Sequence, residues 1–350
     1  MKIQNLTFKD VADFVNGKAF KPSEWSNKGT PIIRIQNLND SSKPYNYYDG
    51  DIENRYIIEK GDLLISWSAS IGVYIWNREK AVLNQHIFKV NVNNEIIDKY
   101  YFFYLVKTKL NEMVTRVHGS TMKHITKSTF DKIKISIPSL ETQKHIVSIL
   151  EKAEKLKEKR KITNEDTNKI IQSVFYEMFG DPVKNEKGFP IEILNDICDV
   201  RDGTHDSPKY KSEGIPLVTS KNVKDGFIDF SSAKLISKED YESINKRSAV
   251  HDGDIIMPMI GTIGNPLIIK KDGDFAIKNV ALIKFTKTNV SNIFIQTLLS
   301  SKYFEHITTN SKRGGTQKFI ALKDIRNIKI PLPPIKLQNQ FAEIVQKIEL

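Results

Sequence analysis

Residues Gly119–Gly180 read GSTMKHITKSTFDKIKISIPSLETQKHIVSILEKAEKLKEKRKITNEDTNKIIQSVFYEMFG. Gly119, Ser120 and Thr121 form a small-residue turn. Ile133-Lys134-Ile135-Ser136-Ile137 alternates apolar and polar residues as a half-buried strand does, and Pro138 stops it. From Ser139 to Phe179 there is neither glycine nor proline. A helix can start at Ser139 or Leu140, with Glu141 and Gln143 in its first turn. Apolar residues recur at Ile146, Ile149, Leu150, Ala153 and Leu156, and again at Ile170, Ile171, Val174 and Met178. Between them the stripe turns polar at Arg160, Thr163 and Thr167, still on a seven-residue rhythm. About forty residues at 1.5 Å each make a helix of about 60 Å, too long for one core. The pattern predicts a helix that bridges two bodies.

The same passage recurs near the C-terminus as Gly314–Ile348, GGTQKFIALKDIRNIKIPLPPIKLQNQFAEIVQKI. One constant offset pairs Gly119, Thr121 and Lys123 with Gly314, Thr316 and Lys318. It also pairs Ile133-Lys134-Ile135 with Ile328-Lys329-Ile330, Pro138 with Pro333 and Gln143 with Gln338. Upstream, Gly61-Asp62-Leu63-Leu64-Ile65 matches Gly253-Asp254-Ile255-Ile256-Met257, Asn37 matches Asn222, and Gly17 matches Gly203. This is a tandem duplication of a whole domain, since solenoid repeats have periods of only about 20–50 residues. The expected fold class is mixed α/β (α+β): two homologous globular domains in tandem, each followed by a long helix. The expected boundaries are 1–139, 140–180 for the first helix, 181–334, and 335–350 for the start of the second helix. The offset sets Leu350 opposite Lys155, so the second helix is expected to be shortened and residues 156–179 to lack a partner.

Bulk properties narrow the function classes. The formal charge of +11 favours a polyanionic partner. No apolar run is long enough to span a membrane and MKIQNLTFKD lacks the apolar core of a signal peptide, which points to the cytoplasm. A single cysteine, Cys198, excludes an internal disulfide and a Cys-based zinc cage. There is no GxxxxGK[ST], no GxGxxG, no HExxH, and no Asp-x-Lys or Glu-x-Lys. His205-Asp206, in a Gly/Pro loop, reads as a turn rather than a catalytic or metal pair. No catalytic residue and no metal site are expected, and the chain is expected not to be an enzyme.

Between the matched strands the copies diverge. The first has Asn16-Gly17-Lys18-Ala19-Phe20 where the second has Arg201–Tyr210, RDGTHDSPKY. In the first sixty residues Trp25, Tyr45, Tyr47 and Tyr48 interleave with Lys18, Lys21, Lys28, Arg34 and Lys43, a mixture that suits nucleic-acid surfaces as well as ordinary loop anchoring. Residues 181–195 read as a linker. A kept scaffold with changed loops suggests two related sites of different specificity.

Two variable domains, each closed by a G-[SG]-T-x-K turn and an Ile137-Pro138…Gln143 or Leu332-Pro333…Gln338 exit into a long helix, resemble the specificity subunit of type I restriction–modification systems. The resemblance covers essentially the whole chain. It implies one target recognition domain per half of a bipartite double-stranded DNA site, with long helices paired antiparallel as a coiled coil that fixes the spacer. It also implies two methyltransferase subunits docked on those helices and restriction/translocase subunits outside them. The cofactors S-adenosylmethionine, ATP and Mg would belong to those partners and none to this chain. The alternatives are a truncated or rearranged subunit that binds DNA without assembling a complex, a self-sufficient restriction or methyltransferase enzyme, or a protein scaffold.

Candidate DNA contacts are Arg34, Asn37, Gln85, His86 and Lys123 in the first domain. In the second they are His205, Lys209, Lys221, Asn222, Arg313 and Lys318. Arg, Asn, Gln and His suit base edges, and Lys suits phosphates. Candidate subunit-docking positions on the long helix are Ile146, Ile149, Leu150, Leu156, Ile170, Ile171 and Val174.

Overall fold

The computed structural model describes residues 3–116, 126–224, 226–261, 263–285, 289–309 and 319–349. Two compact units, Met1–Lys159 and Arg160–Leu350, divide the chain. The division falls within one continuous helix, Leu140–Phe179. The architecture is mixed α/β in both units.

In the first unit, four antiparallel strands lie in the order Ala12–Asn16, Ile87–Val92, Leu63–Ser66, Gly72–Ile75. A second sheet runs Asn46–Tyr48, Thr30–Ile33, Ala81–Leu83, Ile57–Ile58, with its middle pair parallel. The fully apolar Leu63-Leu64-Ile65 is buried on both faces: Leu64 packs on Ile33, Ile58 and Leu83 of the mixed sheet, and Leu63 and Ile65 on the cluster of Phe8, Phe102 and Phe130. The second unit repeats this plan. Asp199–Asp202, Val280–Lys284, Ile255–Pro258 and Leu267–Ile268 form the antiparallel sheet. Lys234–Ile236, Ile215–Val218 and Ala276–Ile277 form the mixed one. The end of the expected 181–195 linker is ordered into the fold: Ile191–Ile193 pairs antiparallel with Lys329–Pro331, as Gln4–Thr7 pairs with Lys134–Ile137.

The Pro…Gln exit has a physical purpose. Gln143 is fully buried; its amide N–H donates to the Pro138 (2.9 Å) and Ile96 (3.1 Å) carbonyls, and its Oε1 accepts from the Asp98 backbone N–H at 2.8 Å. Gln338, 1% exposed, donates to the Pro333 carbonyl at 2.7 Å and accepts from Ser291 N–H at 2.9 Å. Each glutamine locks the start of one helix to the start of another, Lys99–Arg116 or Asn292–Leu299. Gln338→Leu should therefore destabilise the second unit by about 2–4 kcal/mol, because two buried backbone groups lose their partners. A urea melt followed by circular dichroism checks this, and an unchanged midpoint would refute the locking role.

The long helix buries Gln143 and Val147 at its start, while Tyr104 donates to Glu154 at 2.8 Å. Its end buries Ile171, Phe175 and Phe179 in the core of the second unit. Phe341 of the C-terminal helix Ile335–Glu349 packs on Phe175 and Phe179, with ring centroids 5.6 and 5.3 Å apart. Residues 171–179 thus do have a partner, contrary to the sequence expectation. From Lys152 to Lys161 every residue is exposed.

Candidate nucleic-acid interface

In each unit the diverged loops leave from the same end of the antiparallel sheet. In the first, strand Ala12–Asn16 ends beside the start of Ile87–Val92 and the end of Leu63–Ser66. Gly17 must be glycine: a Cβ there would lie 2.1 Å from the Asn84 carbonyl oxygen, and at Gly203 one would lie 2.3 Å from that of Ile277. This close approach brings the entry loop of each unit against the bend that follows strand Ala81–Leu83 or Ala276–Ile277.

At that bend in the first unit, His86 takes a left-handed φ of 73° and meets the Trp67 ring edge-on at 4.8 Å. Trp67 Nε1 donates to Asn16 Oδ1 at 3.1 Å. His86 Nδ1 and Asn84 Oδ1 are buried and have no hydrogen-bond partner among the described residues, a rare condition for buried polar atoms. Gln85 is half-buried; its backbone N–H donates to the Lys18 carbonyl at 2.9 Å and leaves the side chain uncommitted. Arg34 is also half-buried, donating to Asn46 Oδ1 at 3.2 Å with its guanidinium 5.4 Å from the Trp25 ring centre.

The second unit places Asn279, at φ 55°, in the corresponding bend. His205 shares one ring nitrogen with Asn279 Oδ1 (2.8 Å) and the other with the Asp202 carboxylate (2.7 Å). Asp202 is 3% exposed and is also paired with Arg247. Lys209 and Lys221 are exposed.

Two sequence expectations are corrected here. Asn37 is fully buried; it donates to the Lys43 and Pro44 carbonyls at 3.1 and 3.2 Å and accepts from Arg34 N–H. Asn222 does the same work, donating to the Asp229 carbonyl and Ser232 Oγ while accepting from Thr219. Both amides staple a loop shut, and burial keeps them from a base edge. His205 bonds Asn279 and Asp202 through its two ring nitrogens while its side chain is 63% exposed. Lys123, Arg313 and Lys318 lie outside the described residues. Sequence reasoning missed Asp202, Lys278 and Asn279; the bridges Lys18–Asn84 and Thr204–Lys278 make Asn84 the counterpart of Lys278, one residue off the repeat offset.

On the long helix, Ile149, Leu156 and Ile170 are exposed by 53%, 67% and 52%, and Ile162, not singled out from the sequence, by 50%. Ile146 and Leu150 are half-buried. Ile171 and Val174 belong to the core of the second unit, which removes them from any docking face.

Burial pushes the Cys198 thiol up to about 12, so the thiolate is absent near neutrality. No group of three metal-ligating side chains occurs among the described residues, and no described helix is long and apolar enough to cross a membrane.

Residues 2–166 and 188–350 both match the family model described as the type I restriction modification DNA specificity domain. The chain is 27% identical over 376 residues to the type I restriction enzyme EcoBI specificity subunit of Escherichia coli, covering 98% of this chain and 78% of that protein. It is 27% identical over 312 residues to the MjaVIII specificity subunit of Methanocaldococcus jannaschii, covering 84% and 73%. The crystal structure of the type I restriction–modification S subunit from M. genitalium shares the fold, with a TM-score of 0.54 at 14% identity over 99% of this chain and 89% of that one.

Proposed function

This chain belongs to the family of type I restriction modification DNA specificity domains, and we propose that it is the sequence-reading subunit of a type I restriction–modification complex. Each unit reads one half of a bipartite duplex site. The exposed stretch of the long helix serves as the docking face for methyltransferase subunits, with restriction subunits joining outside them in the cytoplasm. S-adenosylmethionine, ATP and Mg act in those partners, and the chain itself carries none.

The observation that carries this reading is the pairing of one scaffold with two different loop sets at the same sheet end. Sequence information in duplex DNA is read by side chains at groove edges, and phosphate contacts only set register. A duplicated scaffold with changed loops is what two half-sites of different sequence require. A separate reader also suits a methyltransferase that must flip its target base out of the stack while something else holds the duplex.

The test is to express the chain with its methyltransferase partner and map methylated sites on random duplex DNA. A motif of two specified halves separated by a fixed gap is the expected result. A single short motif, or methylation without sequence preference, would overturn it.

A further inference from the structure

In the second unit three diverged segments meet at Asn279: the entry loop after Asp202, the loop stapled by Asn222, and the bend at Lys278. Ser220 Oγ donates to the Asn279 carbonyl at 3.3 Å, which ties the second segment to the third. Lys278 ties the third to the first. Its backbone N–H donates to the Val218 carbonyl at 2.8 Å. Its ammonium donates to the His205 carbonyl (3.2 Å), the Asp206 carbonyl (2.7 Å) and Ser207 Oγ (2.7 Å). An ammonium has three donors, so Lys278 has none left for a phosphate. The opposite end of the same strands carries Asp199 and Lys284 and none of these loops.

With the Lys278 ammonium and both His205 ring nitrogens engaged within the loops, the exposed cations and rings these segments leave uncommitted are Lys209, Tyr210, Lys221, Lys224 and Phe227. Tyr210 and Phe227 are 50% and 59% exposed. Phe227 stands on a short hairpin, Val223–Lys224 with Phe227–Ile228, that the buried Asn222 amide closes. Cations flanking exposed rings match duplex DNA, whose phosphates take the ammoniums while ring and phenol contact bases or sugars. A loop already held in place has no ordering cost to deduct from binding.

From this geometry, and resting on the DNA-reading function proposed above, we infer that the loops around Asn279 form the head that reads the second half-site, and that Lys278 is its positioning residue. It touches no DNA and sets the loop that does. The first unit has no equivalent ammonium at its bend, where Asn84 and Gln85 stand instead, so the dependence is confined to the second half-site.

The experiment is repeated selection from randomised duplexes by the full chain with its methyltransferase partner, comparing wild type, Lys278→Met and a Lys209→Ala/Tyr210→Ala double variant. Thermal melting runs in parallel. Both variants should keep their melting temperature and the first half-site motif, while preference at the second half-site falls tenfold or more, the scale of one or two mismatched base pairs. Retention of both motifs by Lys278→Met overturns the inference. Loss of both motifs, or a fall in melting temperature, makes Lys278 a fold residue and overturns it as well. If the wild type itself selects no motif, the DNA-reading function fails, and that outcome is distinct from either variant result.

Discussion

Lys284→Ala should destabilise the second unit by about 3–5 kcal/mol, whereas Lys89→Ala in the first should cost about 1 kcal/mol. Both lysines sit in one design. Lys89 reaches the Asp62 carboxylate at 2.8 Å and donates to the Ile57 carbonyl at 2.9 Å. Lys284 reaches the Asp254 carboxylate at 2.9 Å and the Ala249 carbonyl at 2.7 Å, with His251 Nδ1 also 2.9 Å away. What differs is water. The Lys89 and Asp62 side chains are 20% and 27% exposed, those of Lys284 and Asp254 only 7% and 1%. Removing the ammonium from the dry pair strands a carboxylate that water cannot reach; in the wetter pair, solvent replaces it. All three tryptophans (Trp25, Trp67 and Trp76) lie in the first unit. Tryptophan fluorescence therefore follows that unit alone, while circular dichroism follows both. Lys284→Ala should shift the dichroism transition and leave the fluorescence transition in place. Equal losses from the two substitutions would show that burial is not the deciding variable.

The two lysines also show what the sequence could and could not reveal. The repeat aligns Lys89 with Lys284, but the ladders do not. Lys89 stands opposite Leu64, whereas Ile256, the repeat counterpart of Leu64, stands opposite Leu282, two residues before Lys284. Side chains alternate with a period of two, so a two-residue shift keeps both ammoniums on the same face, and the ion pair survives the slip. Periodicity made the strand Lys134–Ile137 and the helix Leu140–Phe179 legible. It made the paired Asn37/Asn222 and Gln143/Gln338 visible as pairs. It could not assign their tasks, because a residue identical in two copies is as much a mark of scaffold as of shared ligand. The bond from His205 to Asn279 crosses 74 positions of sequence, and nothing local to either residue announces it. Exposure along the long helix was equally hidden: Ile170 and Ile171 are neighbours in one apolar run, yet one is 52% and the other 7% exposed.

Phe341→Ala should cost the second unit about 3–5 kcal/mol, the usual range for emptying a buried phenylalanine site. The side chain is fully buried, and it closes an aromatic cluster in which Phe179 also meets Phe294 at 5.0 Å. Three helices lose their shared contact at once: the end of Leu140–Phe179, Asn292–Leu299 and Ile335–Glu349. Amide hydrogen exchange should accelerate in residues 171–179 and 335–349 together, because Phe341 is a ring contact that the two segments share. Leu156→Ala is the contrasting variant. Leu156 is 67% exposed in a helix and touches no core, so its loss should move stability by no more than about 0.5 kcal/mol. If the exposed middle of the helix is the docking face proposed above, Leu156→Ala should weaken capture of the methyltransferase while hydrogen exchange at 171–179 stays at the wild-type rate. Phe341→Ala reverses that order, with exchange rising before capture is lost. Should Leu156→Ala bind its partner as the wild type does, the docking face lies elsewhere, and the rhythm of the helix reflects only its two buried ends.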